Sequence, residues 1–301
     1  MKYIFIINPV AGSGEGIKKI KDAIEKFSEK DLCEIYMTKG PCDATEYVRN
    51  WIGEHPKEEV RFIACGGDGT ISEVFNGAVG AENVSVSCYP CGSGNDFVKV
   101  FGGQQAFEDI EKILRAKERP LDLLKVGDRY SNNVVNFGFD TTVAITVNED
   151  RAKTGHGSKS SYTKGIVKAL ITSMKNKALV YADGELLNPD GVFLLCTVAN
   201  GQYVGGSFKC APRARTDDGL MEVCLVKPIS RLRFVKMINS YTEGNHLDDQ
   251  SFKDVVVYRQ AKKVEVIAPE GFAYSLDGEI IHESHFTIEI VPSAIKLAVP
   301  E

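Results

Sequence analysis

Residues 62–73 read Phe-Ile-Ala-Cys-Gly-Gly-Asp-Gly-Thr-Ile-Ser-Glu, an apolar run that breaks into glycines around one carboxylate. This pattern predicts a buried strand that turns directly into a helix. Glycines let backbone N–H groups approach an anion closely, and a helix N-terminus adds partial positive charge. Asp68 would repel a bare phosphate, so it favours a Mg²⁺ ion that accompanies a nucleotide. The segment therefore predicts a phosphate-binding turn with its own metal ligand.

Two further glycine-rich turns follow apolar runs, at 8–16 and at 90–97. The first is no dinucleotide fingerprint, because Ile17 takes the last glycine position, and no Walker sequence occurs in the chain. Taken alone, it could equally be a structural turn. Because parallel strands end at one edge of a sheet, we expect the three turns to converge on a nucleotide. Thr38 would lie at the same edge, unless it only begins the Gly40-Pro41 turn.

The order of apolar patterns predicts two domains. Up to about residue 116, short apolar runs alternate with amphipathic segments at 16–27, 43–52, 70–79 and 106–116. This alternation indicates an α/β domain with a parallel sheet and helices on both faces. From residue 121 onward strand patterns dominate, including one at 129–139, with helices only at 160–176 and 229–243. We predict a nucleotide-binding domain at 1–120 and a mostly antiparallel β domain at 121–301, a sandwich or a barrel, and leave open whether the C-terminal tail returns to the first domain.

Composition excludes several functions. The net charge of -5 and the pI near 5.7 argue against nucleic acid as a partner. The N-terminal apolar run is too short for a signal peptide, and no run approaches the ~20 residues of a membrane-spanning helix, so we expect a cytoplasmic protein. Most of the eight cysteines lie in apolar runs. We expect reduced, buried thiols and no zinc site.

Two turns in the second half carry adjacent acidic residues. Asp217-Asp218-Gly219 lies between basic and apolar residues, and Asp277-Gly278-Glu279 follows a strand pattern. Asp-Gly is a common turn on its own. The functional alternatives are a divalent cation site at the first turn and a general base at the second.

Residues 151–177 contain seven basic residues and no acidic one. Apolar residues such as Ile166, Leu170 and Met174 are interleaved with them, which gives a basic amphipathic face. Such a face is typical of helices that lie on anionic membranes. A solvated charged face over a domain core explains it equally well.

Together these motifs resemble the diacylglycerol kinase catalytic domain family, in particular its compact bacterial lipid kinases, whose nucleotide domain is similar to those of phosphofructokinase-like and NAD kinases. The resemblance covers essentially the whole chain. It rests on these segments: Asn8-Pro9 with Gly12, 66–70, 92–97, 136–140, Asn200-Gly201 with Gly205-Gly206, Ala211-Pro212 with 218–220, and 277–279. Ser93 stands where the family often has threonine, and Asp217 is an additional carboxylate beside Asp218.

The resemblance implies phosphorylation of a lipid hydroxyl by ATP with Mg²⁺. Glu279 would accept the hydroxyl proton, with Asp277 close by, and Asp68 would serve catalysis. Asp68 and Asp96 would position the catalytic Mg²⁺, and Asp218 would hold a structural Mg²⁺ with backbone oxygens of Arg215 and Leu220. The nucleotide contacts implied are Asn8, Gly12, Thr38, Gly66, Gly67, Asp68, Gly69, Thr70, Ile71, Ser72, Ser93 and Asn95.

Diacylglycerol is the first expected substrate, ahead of phosphatidylglycerol, a sphingoid base or a ceramide-like lipid. A kinase of a soluble substrate such as NAD is the second reading, and a nucleotide-binding regulatory protein is the third. The presence of Asp68 and Glu279 disfavours the third. We expect peripheral membrane contact through the basic segment, and a homodimer is compatible with the sequence.

Overall fold

The computed structural model describes residues 1–12, 15–154 and 159–301. It divides into two units, the first comprising 1–123 with 292–301 and the second comprising 124–291. In its described part, the chain has no helix that is long and apolar enough to cross a membrane.

The first unit is built on parallel strands. In chain order its elements are β1 (Lys2–Ile7), α1 (Glu15–Lys26), β2 (Cys33–Met37), α2 (Asp43–Glu54), β3 (Val60–Gly66), α3 (Asp68–Ala78), β4 (Val84–Pro90), α4 (Ile110–Arg115) and most of β5 (Lys117–Val126). The strand order is β4-β3-β1-β2, and every pair is parallel. Each residue of β3 and β4 is buried, including the polar residues Arg61, Ser85 and Ser87.

The helices of the first unit pack in two pairs, α2 with α3 and α1 with α4. The C-terminal residues also belong to this unit, because Lys296 and Leu297 pair in parallel with β4. The Ser87 hydroxyl donates to the Ala298 carbonyl at 2.8 Å. The α/β architecture predicted from the alternating pattern is confirmed.

The second unit is antiparallel. Its elements are β6 (Arg129–Ser131), β7 (Val134–Gly138), α5 (Phe139–Thr154), α6 (Lys159–Thr172), β8 (Asn176–Lys177), β9 (Leu179–Ala182), β10 (Glu185–Leu186), β11 (Val192–Phe193), β12 (Leu195–Ala199), β13 (Met221–Val226), α7 (Arg231–Glu243), β14 (Val256–Ala261), β15 (Lys263–Ile267), β16 (Ala273–Leu276), β17 (Glu279–His282) and the first part of β18 (His285–Val299). Six of these strands form one sheet in the order β14-β13-β12-β7-β16-β17.

A sandwich core fills the space between this sheet and strands β9, β15 and β18. It contains Phe137, Val198, Val223, Val266 and Ile288, among others. On the other face of the six-stranded sheet, α5, α6 and α7 cover a second apolar cluster. Of the two predicted alternatives, sandwich or barrel, the structure shows the sandwich.

The sequence prediction was wrong at 129–139. In place of one strand, the chain forms β6, a turn and β7, and α5 begins at Phe139. The sequence of α5 contains Thr141, Thr142, Val143, Ile145, Thr146 and Val147. β-branched residues of this kind favour strands, and tertiary packing against the sheet overrides that preference.

Candidate functional site

The three glycine-rich turns of the first unit meet, as the sequence predicts. Asn8, which follows β1, donates its side-chain amide to the Thr70 hydroxyl at 3.2 Å. Gly12 has a φ of +68°, and an added Cβ there would lie 2.9 Å from the Cys91 carbonyl oxygen. The turn after β1 therefore contacts both other turns. Residues 13 and 14 of that turn lie outside the described residues.

The turns after β3 and β4 pack backbone against backbone. The Cys91 N–H donates to the Gly66 carbonyl at 2.7 Å. A Cβ on Gly92 would lie 2.5 Å from the Gly67 Cα, closer than real Cβ contacts come. A Cβ on Gly66 would lie 2.3 Å from the Thr70 hydroxyl oxygen. Glycine is required at Gly66 and Gly92 by this close approach.

The N-terminus of α3 opens at this junction. Its N-cap residue is Gly67, which has no side chain to cap the helix, and Asp68 is the first helical residue. The first amides of a helix have no acceptor within the helix and attract anions. A Cβ on Gly69 would have no atom within 4 Å. The first turn of α3 therefore offers backbone donors and open space, which suits a phosphate group.

Asp68 and Asp96 direct carboxylate oxygens over one glycine. A Cβ on Gly94 would lie 2.9 Å from Asp68 Oδ2 and 3.7 Å from Asp96 Oδ2. The other oxygen of Asp68 accepts the Asp96 N–H at 2.7 Å, and Lys99 Nζ lies 2.5 Å from Asp96 Oδ1. Two carboxylates with phosphate oxygens are a usual Mg²⁺ environment, so these residues fit the ion. The described residues contain no group of three or more His, Cys, Asp or Glu suited to a metal.

The remaining predicted nucleotide contacts differ in placement. Thr38 lies at the same edge, where its N–H donates to the Ile7 carbonyl at 2.9 Å. Ser93 is exposed, and Ser72 is half-buried. Ile71 is fully buried in the core, and its N–H bonds the Gly67 carbonyl, so only its position on α3 relates it to the turn. The Asn95 side-chain amide bonds both the N–H and the carbonyl of Gly92, and it therefore holds its own turn.

In the second unit, Asp277 and Gly278 form the hairpin turn between β16 and β17. Their φ angles are 49° and 93°, both in the left-handed region that a type I′ turn requires. The Asp277 carboxylate accepts four hydrogen bonds. The donors are the Ser131 hydroxyl at 2.7 Å and the N–H groups of Asn132, Asn133 and Val134 at 3.0–3.2 Å. Burial raises the pKa of Asp277, and these hydrogen bonds oppose the rise.

Glu279 differs from Asp277 in exposure and partners. Its side chain is 56% exposed and forms an ion pair with Arg129, whose side chain is 47% exposed. The Asn148 side chain of α5 donates to the Gly278 carbonyl at 2.9 Å, which fixes the turn beneath Glu279. Glu279 is therefore accessible to a reacting hydroxyl, whereas Asp277 is committed to the backbone of residues 132–134.

Asp217 and Asp218 are the exposed residues of the acidic turn at 217–220, and Gly219 and Leu220 are half-buried. Asp217 pairs with the Arg215 guanidinium at 3.5 Å, and Asp218 Oδ1 accepts the Leu220 N–H at 3.1 Å. That hydrogen bond accounts for the turn without a metal. Because Arg215 engages Asp217, Asp218 is the carboxylate better placed for a cation. One carboxylate with backbone carbonyls from Arg215 and Leu220 would fit Mg²⁺ as its donor set.

Several residues of these sites escaped the sequence analysis. Arg129 and Ser131 lie about 150 positions from their partners, so no local signal marks them. Lys99 could have been found, because its spacing of three residues from Asp96 suits an ion pair on a helical turn.

Burial also raises the pKa of three other groups. Asp140, in the first turn of α5, has a buried oxygen without a hydrogen-bond partner, and burial raises its pKa to about 7. Burial raises the pKa of the Cys65 and Cys88 thiols as well, so these groups near the nucleotide turns are unreactive.

Comparison with known proteins gives matches along nearly the whole chain. Residues 2–126 match the model of the diacylglycerol kinase catalytic domain, and residues 133–299 match the YegS C-terminal NAD kinase beta sandwich-like domain. The fold is similar to that of the crystal structure of a diacylglycerol kinase from Bacillus anthracis, with a TM-score of 0.75 and 24% identity, covering 99% of this chain and 96% of the other.

Two relatives are similar to this chain in sequence over most of its length. The diacylglycerol kinase of Bacillus subtilis is 29% identical over 281 residues, which cover 91% of this chain and 88% of the relative. A protein of Chromohalobacter salexigens named "Probable lipid kinase YegS-like" is 31% identical over 245 residues, covering 80% of this chain and 76% of the relative. The resemblance drawn from the motifs is confirmed, and the chain belongs to the diacylglycerol kinase catalytic domain family, with a YegS-type C-terminal domain.

Proposed function

We propose that this protein is a lipid kinase that transfers the γ-phosphoryl group of ATP, with Mg²⁺, to a lipid hydroxyl. The observation that carries the proposal is the junction of three glycine-rich turns at the α3 N-terminus, beside the Asp68 and Asp96 carboxylates. Family membership supports a kinase, and the names of the relatives support a lipid as its substrate.

The first unit would bind and orient the nucleotide. Backbone amides of the first turn of α3 would receive the phosphates, and Asp68 and Asp96 would hold the Mg²⁺. When bound, Mg²⁺ neutralises phosphate charge and fixes the phosphate geometry. Asn8 and Thr70 support the same turn through their mutual hydrogen bond. Positioning and charge neutralisation are the main sources of catalysis in phosphoryl transfer.

In the second unit, Glu279 would accept the proton of the lipid hydroxyl. An exposed carboxylate in an exposed ion pair can reorient, because such pairs contribute only about 0–1 kcal/mol. Asp277 would act indirectly, by fixing the turn from which Glu279 projects. Asp218 would hold a structural Mg²⁺ in its turn.

Diacylglycerol is the proposed substrate, and the product would be phosphatidic acid. The test is a panel of diacylglycerol, phosphatidylglycerol, a sphingoid base, ceramide and NAD, each offered with labelled ATP and Mg²⁺. Label in phosphatidic acid that is lost in the Asp68→Asn variant supports the proposal. If the label appears only in another lipid of the panel, that lipid is the substrate and diacylglycerol is not. Label only in NAD, or in none of the five, would refute a lipid kinase.

A further inference from the structure

Two neighbouring helices of the second unit carry large apolar side chains on their solvent-facing sides. Val167 and Ile171 of α6 are 52% and 68% exposed, and Leu232 and Val235 of α7 are 80% and 58% exposed. Among the described residues, Val10 is the one other large apolar side chain that is exposed to a comparable degree. We refer to these four residues as the α6–α7 patch.

The two helices that carry these four side chains touch where α7 begins. Arg231, at the start of α7, donates from its guanidinium to the carbonyls of Leu170 and Ile171 at 2.7 and 3.5 Å. This contact brings the first turn of α7 beside the last turn of α6. The opposite helix faces supply Ala169, Phe234 and Met237 to the apolar cluster over the sheet. The patch is therefore additional to what the core requires.

Three basic residues lie close to the patch along the chain. Lys175 and Lys236 are exposed, and in the described part of the chain neither forms an ion pair with an acidic residue. Arg231 lies between the two helices. The sequence of α6 contains no Asp or Glu, although the whole chain has a net charge of -5. The patch thus combines exposed aliphatic groups with a local excess of positive charge.

The basic segment predicted at 151–177 is only partly available for this purpose. Lys164 pairs with Asp150 at 3.0 Å, and Lys168 pairs with Glu149 at 3.6 Å, both acids belonging to α5. Residues 155–158 and the side chains of Arg151 and Lys159 lie outside the described residues. Membrane contact must therefore be argued from the apolar patch with Lys175, Arg231 and Lys236, and not from the lysine count.

We propose that the α6–α7 patch docks on an anionic lipid bilayer. The four aliphatic side chains enter the boundary between headgroups and acyl chains, and the three basic residues lie at the level of the lipid phosphates. Surface-bound helices divide apolar and basic residues in this way. The local excess of basic residues favours an anionic bilayer as the occupant. The inference rests on the proposed function, because a kinase reaches a bilayer lipid only at the membrane surface.

The docking helices are linked to the turn that carries Glu279. Helix α5 pairs with α6 through its two ion pairs, and Asn148 of α5 bonds the Gly278 carbonyl. A bilayer bound at the patch is thus one helix removed from the turn of the proposed base. Docking would present a lipid substrate on the helical side of the second unit.

The test measures co-sedimentation of the full chain with vesicles in the absence of ATP. Vesicles of phosphatidylcholine are compared with and without phosphatidylglycerol, for the parent and for the double variant Ile171→Ser, Leu232→Ser. The matched control is Ile267→Ser, which removes an apolar side chain 42% exposed on β15. We expect the double variant to bind anionic vesicles about 100-fold more weakly, near tenfold for each side chain, and the control to bind as the parent.

A second variant tests the charge. Lys175→Glu, Lys236→Glu should lower binding to anionic vesicles by at least about fivefold for each residue, since each basic group contributes about 1 kcal/mol near an anionic surface. This loss should shrink at high salt. Binding of the Ile171→Ser, Leu232→Ser variant that equals the parent would overturn the proposal. Loss of a dimer in sedimentation velocity, with vesicle binding unchanged, would overturn it in favour of an interface between copies.

Turnover of a short-chain diacylglycerol below its micelle concentration separates this inference from the proposed function. If both vesicle variants keep that turnover and lose vesicle binding, both proposals are supported. If the parent phosphorylates no lipid, yet the variants lose vesicle binding as expected, the docking surface stands and the kinase assignment fails.

Discussion

The two carboxylates of the β16–β17 hairpin should respond differently to loss of charge. Asp277→Asn keeps an oxygen in place of Oδ1, which accepts from Ser131, Asn133 and Val134. It places an amide nitrogen where Oδ2 accepts the Asn132 N–H at 3.0 Å. Two donors then face each other, and a buried N–H loses a charge-assisted bond. We expect this to lower the free energy of unfolding by about 2–3 kcal/mol.

Glu279→Gln should leave stability nearly unchanged and remove activity. Its ion pair with Arg129 is exposed on both sides, so its loss costs at most about 1 kcal/mol. Removal of a general base usually lowers turnover by ~10² to 10⁴. ATP affinity should be retained, since Glu279 has no part in the nucleotide turns. Arg129→Gln is the control, because it breaks the same ion pair without removing the carboxylate, and it should keep most of the turnover.

The assay combines urea denaturation, ATP titration and the pH dependence of turnover for all three variants. If Asp277 only fixes the turn, Asp277→Asn protein that remains folded should show turnover with the acidic limb of the pH profile unmoved. Near-normal turnover in Glu279→Gln, together with an inactive Asp277→Asn protein as stable as the parent, would refute the reasoning and make Asp277 the base.

Three further predictions concern other residues. Gly66→Ala should lower stability by about 1–3 kcal/mol and weaken ATP binding, because its Cβ would lie 2.3 Å from the Thr70 hydroxyl, whereas Gly69→Ala should fold as the parent; denaturation and ATP titration check the pair. Asp140→Asn should be more stable than the parent at pH 8, by at most about 4 kcal/mol. The folded-state pKa of Asp140 is raised to about 7, so the parent loses stability as pH rises from about 4 through 7, and the advantage of the variant should vanish near pH 4. Asp218→Ala should lose about 1 kcal/mol with the Leu220 N–H bond, and added Mg²⁺ should raise the melting temperature of the parent but not of the variant; equal Mg²⁺ protection of both would remove the metal from this turn.

Local patterns predicted the features that depend on local chemistry. The mainly apolar sequences of β3 and β4 indicated strands, and the glycines near Asp68 and Asp96 indicated turns between strand and helix. Their meeting at one edge followed from parallel pairing. In the second unit, the succession of strand patterns was sufficient to predict a mostly antiparallel domain.

Features that depend on distant partners could not be predicted. The four donors to Asp277 come from residues 131–134, about 145 positions earlier. Helix α5 was missed because its β-branched residues favour strands, and only the sheet and α6 against which it packs make it helical. The lysines of α6 looked unbalanced because the acids that pair with them, Glu149 and Asp150, lie just before the basic segment.

The contacts of Asp68 show that the glycine-rich motif after β3 cannot be interpreted without the turn after β4. One oxygen of its carboxylate fastens the turn after β4 by accepting the Asp96 N–H, and the other faces the space above Gly94 together with Asp96. A side chain at Gly94 would meet that second oxygen at 2.9 Å. The glycines after β3 and β4 therefore belong to one structural unit, in which each turn needs the other to keep its shape. A carboxylate serves both purposes because it has two oxygens, so the residue that would hold the metal also assembles the turns that would hold the nucleotide.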